Sequence, residues 1–363
     1  MPVIDADTHI DETEDTWAFM SEAEARLKPQ TGYPSNPDPT RRPTRYWMID
    51  GRRTIRFIRN DEQTGTTVET RELLDVDARL RDMDKMGVDI QVIYPTLFTV
   101  EFTEDAEVER TLRRSYNRWM ADRYAKSDGR LPWIMLPPTM SMPAALEEMQ
   151  FAKEHGACGV LKKGNEETGR WPADPYFFPL YEEAARLDMP LCFHVGTGVA
   201  DFTSVAQLSL AGLYRTTFPV IHAFQTFIQH GIPAQFPGLR SGFIEATASW
   251  VPFIVYRLQR TLRKNIERPD SQLRGFGDQY ELAGDLLKAN RMYISCQVDE
   301  DLPYLLRSTG EDNLLIGSDY THNDAAQERD FVQLLQKQAS AGTIPQSLVS
   351  KMTYDNPKTF YGL

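Results

Sequence analysis

Four short segments carry side chains of the kind that bind metal ions, and each follows a run of β-prone residues. The side chains are Asp7 and His9 in Asp-Thr-His, His194 in Pro-Leu-Cys-Phe-His, Glu245 in Ser-Gly-Phe-Ile-Glu, and Asp319 in Leu-Ile-Gly-Ser-Asp. Residues two apart in a strand point to the same side, so Asp7 and His9 can reach one ion. Charged groups at the ends of apolar strands are costly to bury, and a cation among them is the simplest compensation.

Two imidazoles and two carboxylates form a ligand set for a divalent metal ion. With Asp7, His9, His194 and Asp319 as ligands, the set suits zinc first, with manganese or ferrous iron as alternatives, and leaves a position open for water. Each element alone is common, because an Asp at the end of a strand often caps the next helix. The order of the four elements along the chain makes the pattern specific.

The elements that must position these residues alternate between strand and helix along the whole chain. The predicted strands are Val3–Asp7, Val88–Tyr94, Leu131–Leu136, Cys158–Leu161, Pro190–His194, Leu239–Glu245, Arg291–Ser295 and Leu314–Ser318. The predicted helices are Asp75–Met86, Glu104–Ala125, Pro143–His155, Pro179–Leu187, residues 205–230, Val251–Lys264 and Leu302–Ser308.

Eight strands separated by helices predict a parallel sheet that closes into an α/β (β/α)8 TIM barrel. In such a barrel the carboxyl ends of all the strands meet at one mouth, which brings the four ligand segments together. An open doubly wound sheet is the alternative, but no Gly-x-Gly-x-x-Gly loop follows the first strand. The expectation is one metal-dependent domain over residues 1–363.

Residues 20–72 interrupt the alternation with a proline-rich stretch and then two β-prone runs. Asp50-Gly51 between those runs predicts a β-hairpin. We therefore expect an inserted loop and hairpin after the first strand, either as a cap over the mouth or as an oligomer contact. A surface excursion without a role is the alternative.

Composition narrows the choice of partners and compartment. The net charge is −12, which argues against a nucleic-acid or anionic-membrane surface but says little about the substrate. The partner that we expect is a small-molecule substrate. Three cysteines, Cys158, Cys192 and Cys296, are too few and too scattered for a disulfide framework, and their apolar neighbours indicate buried thiols. No apolar run approaches the ~20 residues of a membrane span, and no basic leader precedes the first strand, so a cytoplasmic protein is expected. The expected assembly is a homo-oligomer, with a hetero-oligomer that includes a homologue as the alternative.

The ligand segments also resemble a known family. Asp-Ala-Asp-Thr-His, Phe-His-Val-Gly-Thr-Gly, Phe-Ile-Glu-Ala-Thr-Ala-Ser-Trp-Val-Pro, Ile-Gly-Ser-Asp-Tyr-Thr-His-Asn-Asp and the closing residues 355–363 are similar to the amidohydrolase superfamily. The resemblance is to its amidohydrolase-related branch, which includes aminocarboxymuconate-semialdehyde decarboxylase and the resorcylate-type decarboxylases. It spans nearly the whole chain, apart from residues 20–72 and 265–285.

This resemblance implies roles for individual residues. Asp7 and His9 stand where relatives carry the first-strand ligands, His194 matches the fifth-strand ligand, and Asp319 matches the eighth-strand residue that binds metal and accepts a proton from water. Glu245 departs from the branch, whose decarboxylases place a histidine acid/base at the sixth strand. A carboxylate there can still move protons, and it can also bind a second metal ion.

Three further residues are candidates for the site, each with a plain structural alternative. His322, in Asp-Tyr-Thr-His, could orient the substrate or bind a second metal, or it could pack a loop. His222 lies in an apolar helical run, where a hydrogen-bonded core histidine is the alternative. Lys162, which together with Lys163 follows the fourth strand, could bind a substrate carboxylate or a second metal, or it could be solvated.

Three enzymatic hypotheses and one non-enzymatic hypothesis follow. The leading one is hydrolysis of a C–N, C–O or C–C bond, with Asp319 as base and Glu245 or His322 protonating the leaving group. The others are nonoxidative decarboxylation of an aromatic or enoic acid, oxygen activation by two iron ions, and a metal-stabilised subunit paired with a catalytic homologue.

Overall fold

The fold is described from a computed structural model of the chain. It covers residues 2–35, 45–56, 58–59, 61–166, 168–196, 213–267, 285–323 and 325–363. Residues 265–285, to which the family resemblance does not extend, fall almost wholly outside these ranges.

Eight parallel strands form the central sheet, as the sequence predicts. They are β1 (Ile4–His9), β5 (Ile90–Tyr94), β6 (Trp133–Met135), β7 (Ala157–Lys162), β8 (Leu191–His194), β9 (Ser241–Ile244), β10 (Met292–Cys296) and β11 (Leu314–Ile316). Each pairs with the next in chain order. The first and last strands approach at a bridge between Thr8 and Tyr320, where Asp319 N also donates to Asp7 O at 3.0 Å. The sheet is therefore a (β/α)8 barrel.

A longer α-helix follows each barrel strand. In chain order these helices are Val76–Met86, Ala106–Tyr124, Met142–Glu154, Phe178–Arg186, Phe218–Gln229, Val251–Glu267, Leu302–Thr309 and Phe331–Ser340. Local chemistry sets their ends: the Asp75 side chain accepts from Ala78 N at the start of the first, and Gly87 ends it at a φ of 69°. The helix Phe331–Ser340 is absent from the sequence-based prediction.

Shorter helical turns complete the chain. They are Glu14–Trp17, Glu22–Leu27, Asp61–Thr64, Val68–Arg71, Leu97–Thr99, Pro175–Phe177, Leu213–Thr217, Ile232–Gln235, Leu286–Ala289, Gln346–Ser350, Lys351–Asp355 and Asn356–Tyr361. The helix predicted over residues 205–230 is in part the π-helical turn Leu213–Thr217 followed by the α-helix Phe218–Gln229, which has Pro219 in its first turn. The first part of that prediction, to residue 212, lies outside the described residues.

The predicted hairpin is confirmed. Strands β2 (Gln30–Gly32), β3 (Arg45–Ile49) and β4 (Arg52–Arg56) form a small antiparallel sheet, and Ile49 pairs with Arg52 around the turn. Asp50 and Gly51 both have positive φ angles, 49° and 69°, as a tight two-residue hairpin turn requires.

Aromatic packing ties this small sheet to the barrel. The Trp47 ring of β3 meets Trp17 edge-on, with 5.7 Å between ring centroids, and Trp17 in turn meets Phe98 at 6.2 Å. Both tryptophans are fully buried, and truncating such a side chain costs about 3–5 kcal/mol. The inserted sheet is thus held against the turn that follows β5, next to the mouth of the barrel.

The three cysteines are buried and unpaired with one another, as expected. Burial raises the pKa of all three thiols, that of Cys192 to about 12. Among the described residues, no helix is both long enough and apolar enough to cross a membrane.

Candidate metal centre

Two imidazoles meet at the centre of the mouth. His9 ends β1 and His194 ends β8, and their Nε2 atoms lie 3.2 Å apart. Each Nδ1 faces a backbone carbonyl, that of Pro95 at 3.0 Å for His9 and that of Val195 at 2.8 Å for His194. Because a carbonyl can only accept, each Nδ1 carries the ring hydrogen, and both Nε2 lone pairs of the neutral rings face the same space.

Two carboxylates surround that space. Asp7 Oδ1 lies 3.5 Å from His9 Nε2 and 3.6 Å from His194 Nε2, and Glu245 Oε2 lies 3.1 Å from His194 Nε2. Ligands at about 2.1 Å from one ion are separated by roughly 3.0–3.4 Å at angles of 90–109°. Asp7 Oδ1 is also buried without a hydrogen bond. The donor types and spacings of these four residues therefore fit a divalent metal ion.

The electrostatics of these groups are those of a cation site. Burial alone would raise the pKa of Asp7, but contacts with His194 and His9 lower that pKa to about 2. Burial alone would lower the pKa of His194, but Asp7 and Glu245 raise that pKa to about 9. Burial lowers the pKa of His9. Near neutral pH a proton on His194 takes the place that an ion would occupy.

Asp319 approaches the same imidazoles from the end of the eighth strand. Its Oδ1 is 3.6 Å from His9 Nε2 and 2.8 Å from His322 Nδ1. His9, Asp319 and His322 form a second set of mutually close donors, whereas the first set contains Asp7, His9, His194 and Glu245. The structure thus brings Glu245 close to the predicted ligands Asp7, His9 and His194, and Asp319 remains a predicted metal ligand.

Backbone conformation sets the direction of the Glu245 and Asp319 carboxylates. Glu245 and Asp319 follow β9 and the Gly317-Ser318 extension of β11 with φ angles of 59° and 51°, a left-handed conformation that is rare for residues other than glycine. Glu245 N donates to Ser295 Oγ at 2.6 Å, and Asp319 N donates to Asp7 O at 3.0 Å. Strain of order 1–3 kcal/mol held in this way is typical of functional sites.

Two other candidates lie outside both ligand sets. The Lys162 ammonium is buried, 2.5 Å from Glu166 and 3.4 Å from the centroid of the Phe177 ring. His222 packs edge-on against Trp171 at 4.3 Å, in a groove of about 640 Å³ beside the helix Phe218–Gln229. The structure does not bring these two side chains to the metal ligands.

Sequence analysis missed Arg59, which the insertion supplies to the site. Its side chain is 5% exposed, its Nε donates to the Asp11 carboxylate at 3.1–3.2 Å, and its charge contributes, after burial, to lowering the pKa of His322. Asp11 continues the alternation of Asp7 and His9 by one more step. That extended pattern is the only sequence feature that could have pointed to a cationic partner.

Two imidazoles and three carboxylates lie at the mouth of the barrel, at the ends of its strands. The fold and this site define the class of the protein, an α/β barrel with a metal-type centre. The chain belongs to the amidohydrolase family, because the family model described as "Amidohydrolase" matches residues 4–263. The chain is therefore an enzyme of the hydrolase or lyase class. Among curated proteins, no sequence match was found.

Solved structures share the fold across nearly the whole chain. An amidohydrolase from Mycobacterium avium subsp. paratuberculosis K-10 has a TM-score of 0.75 at 20% identity, covering 99% of both chains. The IDCase of Metarhizium anisopliae has a TM-score of 0.68 at 15% identity, and the match covers 99% of this chain and 97% of that one. A third structure is the 5-carboxyvanillate decarboxylase of Novosphingobium aromaticivorans, complexed with manganese and a nitrobenzoic acid. It has a TM-score of 0.65 at 20% identity, and the match covers 82% of each chain.

Proposed function

We propose that this enzyme is a divalent-metal-dependent decarboxylase that releases carbon dioxide from a small aromatic or enoic acid without oxidation. The observation that carries the proposal is the buried Arg59 guanidinium, which pairs with Asp11 and is near enough for its charge to contribute, after burial, to lowering the pKa of His9 and of His322. A bound ion and a guanidinium side by side favour an organic anion over a neutral amide or ester. The 5-carboxyvanillate decarboxylase among the similar structures is named for an aromatic acid.

The ligand set favours manganese or iron over zinc. Carboxylate oxygens are hard donors that suit manganese, and the 5-carboxyvanillate decarboxylase among the similar structures is complexed with manganese. Asp7, His9, His194 and Asp319 would hold the ion, and the Glu245 carboxyl would lie next to it. When bound, such an ion polarises the carboxylate oxygens of the substrate.

The side chains of the site then divide the remaining work. Arg59, held by Asp11, orients the anionic substrate at the mouth. The C–C bond to the carboxylate breaks, its electron pair stays on the substrate carbon, and carbon dioxide leaves. Glu245 in its acid form protonates that carbon and regains a proton from solvent, to which its side chain is 11% exposed.

Hydrolysis is the second candidate, and the position of Asp319 favours it. A carboxylate 3.6 Å from His9 Nε2 and 2.8 Å from His322 Nδ1 can take a proton from a water molecule at the same mouth. Glu245 or His322 would then protonate the leaving group. Oxygen activation is the third candidate, and it needs two redox-active ions.

Isotope labelling separates these reactions. We would load the protein with Mn²⁺ and incubate it with hydroxybenzoates and unsaturated diacids in D₂O and, separately, in H₂¹⁸O. Decarboxylation releases one carbon dioxide per acid consumed, places one deuterium on the product carbon and adds no ¹⁸O. Incorporation of ¹⁸O without carbon dioxide would establish hydrolysis and refute the proposal.

Arg59 provides a second test on the same substrate. Arg59→Met should raise KM for the acid by about 10-fold or more, because it removes a charge-assisted contact to the anion. Arg59→Lys should recover part of the loss. An unchanged KM in Arg59→Met would remove the observation on which the proposal depends.

A further inference from the structure

Lys163 is the residue that follows β7, and the strand register turns its side chain toward the mouth. At the ends of β7 and β8, Lys162 pairs with Phe193. The same register, continued by one residue, places Lys163 beside His194 on strands that lie about 4.8 Å apart. Lys162 contacts the Phe177 ring outside the barrel. Because successive side chains of a strand alternate between faces, Lys163 lies on the inner face, as His194 does.

A hydrogen bond fixes the Lys163 ammonium at the mouth. Its Nζ donates to Val100 O at 3.1 Å, and Val100 follows the helical turn after β5. Since β6 lies between β5 and β7 in the sheet, the lysine side chain must cross the end of β6. The same turn lies against the segment that follows His194, because a Cβ at Gly196 would collide with Thr99 O. Lys163 is only 5% exposed there.

A second buried polar side chain, that of Asn165, lies two residues further along the same loop. It is 1% exposed, and within the described ranges neither its amide nitrogen nor its carbonyl oxygen has a hydrogen-bond partner. Gly164, between the two, lies against Pro219 of the helix layer, which leaves the barrel side of the loop to its neighbours. Buried polar groups are rarely left unpaired, because the missing bonds cost free energy. A ligand that supplies those bonds removes this cost.

Arg59 and Lys163 approach the mouth from different sides. Arg59 pairs with Asp11, two residues beyond the end of β1. Lys163 follows β7, which lies three strand positions from β1 in a barrel of eight strands. A guanidinium and an ammonium placed in this way suit a ligand that carries an acidic group at each end.

We propose that Lys163, with Asn165 beside it, binds a second acidic group of the substrate, which is therefore a diacid. The carboxylate that leaves as carbon dioxide lies toward Arg59, and the group held by Lys163 remains on the product. Because this second group is bound equally in the substrate and in the transition state, Lys163 affects KM more than kcat. The inference rests on the proposed function, which it narrows to one class of acid.

Binding affinities test the inference separately from the reaction. The Mn²⁺-loaded full-length protein would be titrated by calorimetry with two matched pairs, benzoate against benzene-1,3-dicarboxylate and butyrate against glutarate. In at least one pair we expect the diacid to bind about 10-fold or more tightly than the monoacid, because it gains a charge-assisted contact. Lys163→Met should remove this preference and leave the monoacid affinity within about twofold. Lys163→Arg should retain part of the preference.

Lys337→Met is the matched control, because Lys337 is exposed on the helix Phe331–Ser340; it should keep the full preference for the diacid. Lys163→Gln keeps a donor for Val100 O without the charge, and it decides the matter if Lys163→Met fails to fold. Asn165→Leu should also weaken diacid binding, and an unchanged affinity would exclude Asn165 from the site.

Two results would overturn the inference: a diacid preference that persists in folded Lys163→Met or Lys163→Gln, and an unaltered protein that binds both members of each pair equally well. Failure of the proposed function has a different signature. Incorporation of ¹⁸O without carbon dioxide would refute decarboxylation, whereas a diacid preference that is lost in Lys163→Met would still establish the role of Lys163.

Discussion

Backbone carbonyls decide which nitrogen of each metal-type histidine faces the mouth. Pro95 O and Val195 O hold the Nδ1 atoms of His9 and His194, so neither ring can turn its Nε2 away without leaving a buried donor unsatisfied. The ligand geometry is thus set before any ion arrives. The same geometry brings several carboxylates together, and in the metal-free protein a proton must offset part of their negative charge.

Metal binding should displace that proton from His194. The pKa of His194 is raised to about 9, so the ring is protonated below that pH and the ion must replace its hydrogen. We expect release of about one proton per ion near pH 7.5 and affinity that rises up to about tenfold per pH unit until pH 9. Calorimetry in buffers of different ionisation enthalpy measures the release. Buffer-independent enthalpies at pH 7.5 would contradict this expectation.

Glu12 should make stability depend on pH. Burial raises the pKa of Glu12 to about 8, although it accepts hydrogen bonds from Leu97 N and Thr96 N. The folded state therefore binds a proton that the unfolded chain has lost above pH ~4.5, so stability falls as pH rises from about 4.5 to 8 and then levels off. This contribution amounts to at most about 1.4 kcal/mol per pH unit.

Glu12→Gln removes this pH-dependent contribution to the free energy of unfolding. The free energy of unfolding of the variant relative to the unaltered protein should increase between pH 5 and pH 8, as measured by chemical denaturation. Glu22→Gln, at an exposed position, is the control and should show no such trend. A constant difference between Glu12→Gln and the unaltered protein across this range would show that Glu12 is not protonated in the folded state.

At the scale of elements, the strands were predictable and the orientation of their last residues was not. Apolar runs identify all eight barrel strands, and the alternation of Asp7 and His9 correctly brings both into one cluster. Lys162 pairs in register with Phe193, whose ring packs against Phe227 of the helix layer, so Lys162 points outward. A shift of one residue along a strand moves a side chain to the other face of the sheet, and composition does not reveal which face a residue occupies.

The approach of Glu245 to His194 and the presence of Arg59 in the site have a similar explanation. Both carboxylates follow strands, but left-handed backbone at each of them sets the final direction, and no local pattern predicts that conformation for an acidic residue. Arg59 reaches the site only through the packing of the inserted sheet. Such contacts are long-range, and a single sequence contains no local record of them.

Gly317 should prove essential where the first and last strands meet. A Cβ at this position would lie 2.6 Å from Asp7 Cβ and 2.7 Å from Asp7 N, too close for a backbone to accommodate without moving. We expect Gly317→Ala to lower the free energy of unfolding by about 1–3 kcal/mol and to weaken metal binding by displacing Asp7. Gly238→Ala is the matched control, since its Cβ would meet only Ala185 at 3.6 Å. Equal metal affinity in both variants would show that the strands can separate there without disturbing the ligands.

At the scale of the whole molecule, ligands from distant parts of the chain converge on one ion, so metal binding and folding should be coupled. Asp7 and Asp319 are more than 300 residues apart and meet only when the barrel closes at β1 and β11. The unfolded chain cannot present this site. An ion at a thousand times its Kd therefore stabilises the folded state by about 4 kcal/mol.

Chelation should accordingly lower the melting temperature. We expect a decrease of about 5–10 °C when the Mn²⁺-loaded protein is transferred to a chelator, because an ion that binds only the folded state stabilises it by mass action. His194→Ala removes a ligand held at 3.2 Å from its partner imidazole, and the melting temperature of that variant should respond little to the chelator. His155→Ala should respond like the unaltered protein, because His155 is exposed and bonds within its own helix. Scanning calorimetry of the three proteins with and without chelator measures these differences. If the melting temperature of the unaltered protein does not change with the chelator, closure of the barrel does not depend on an ion at its mouth.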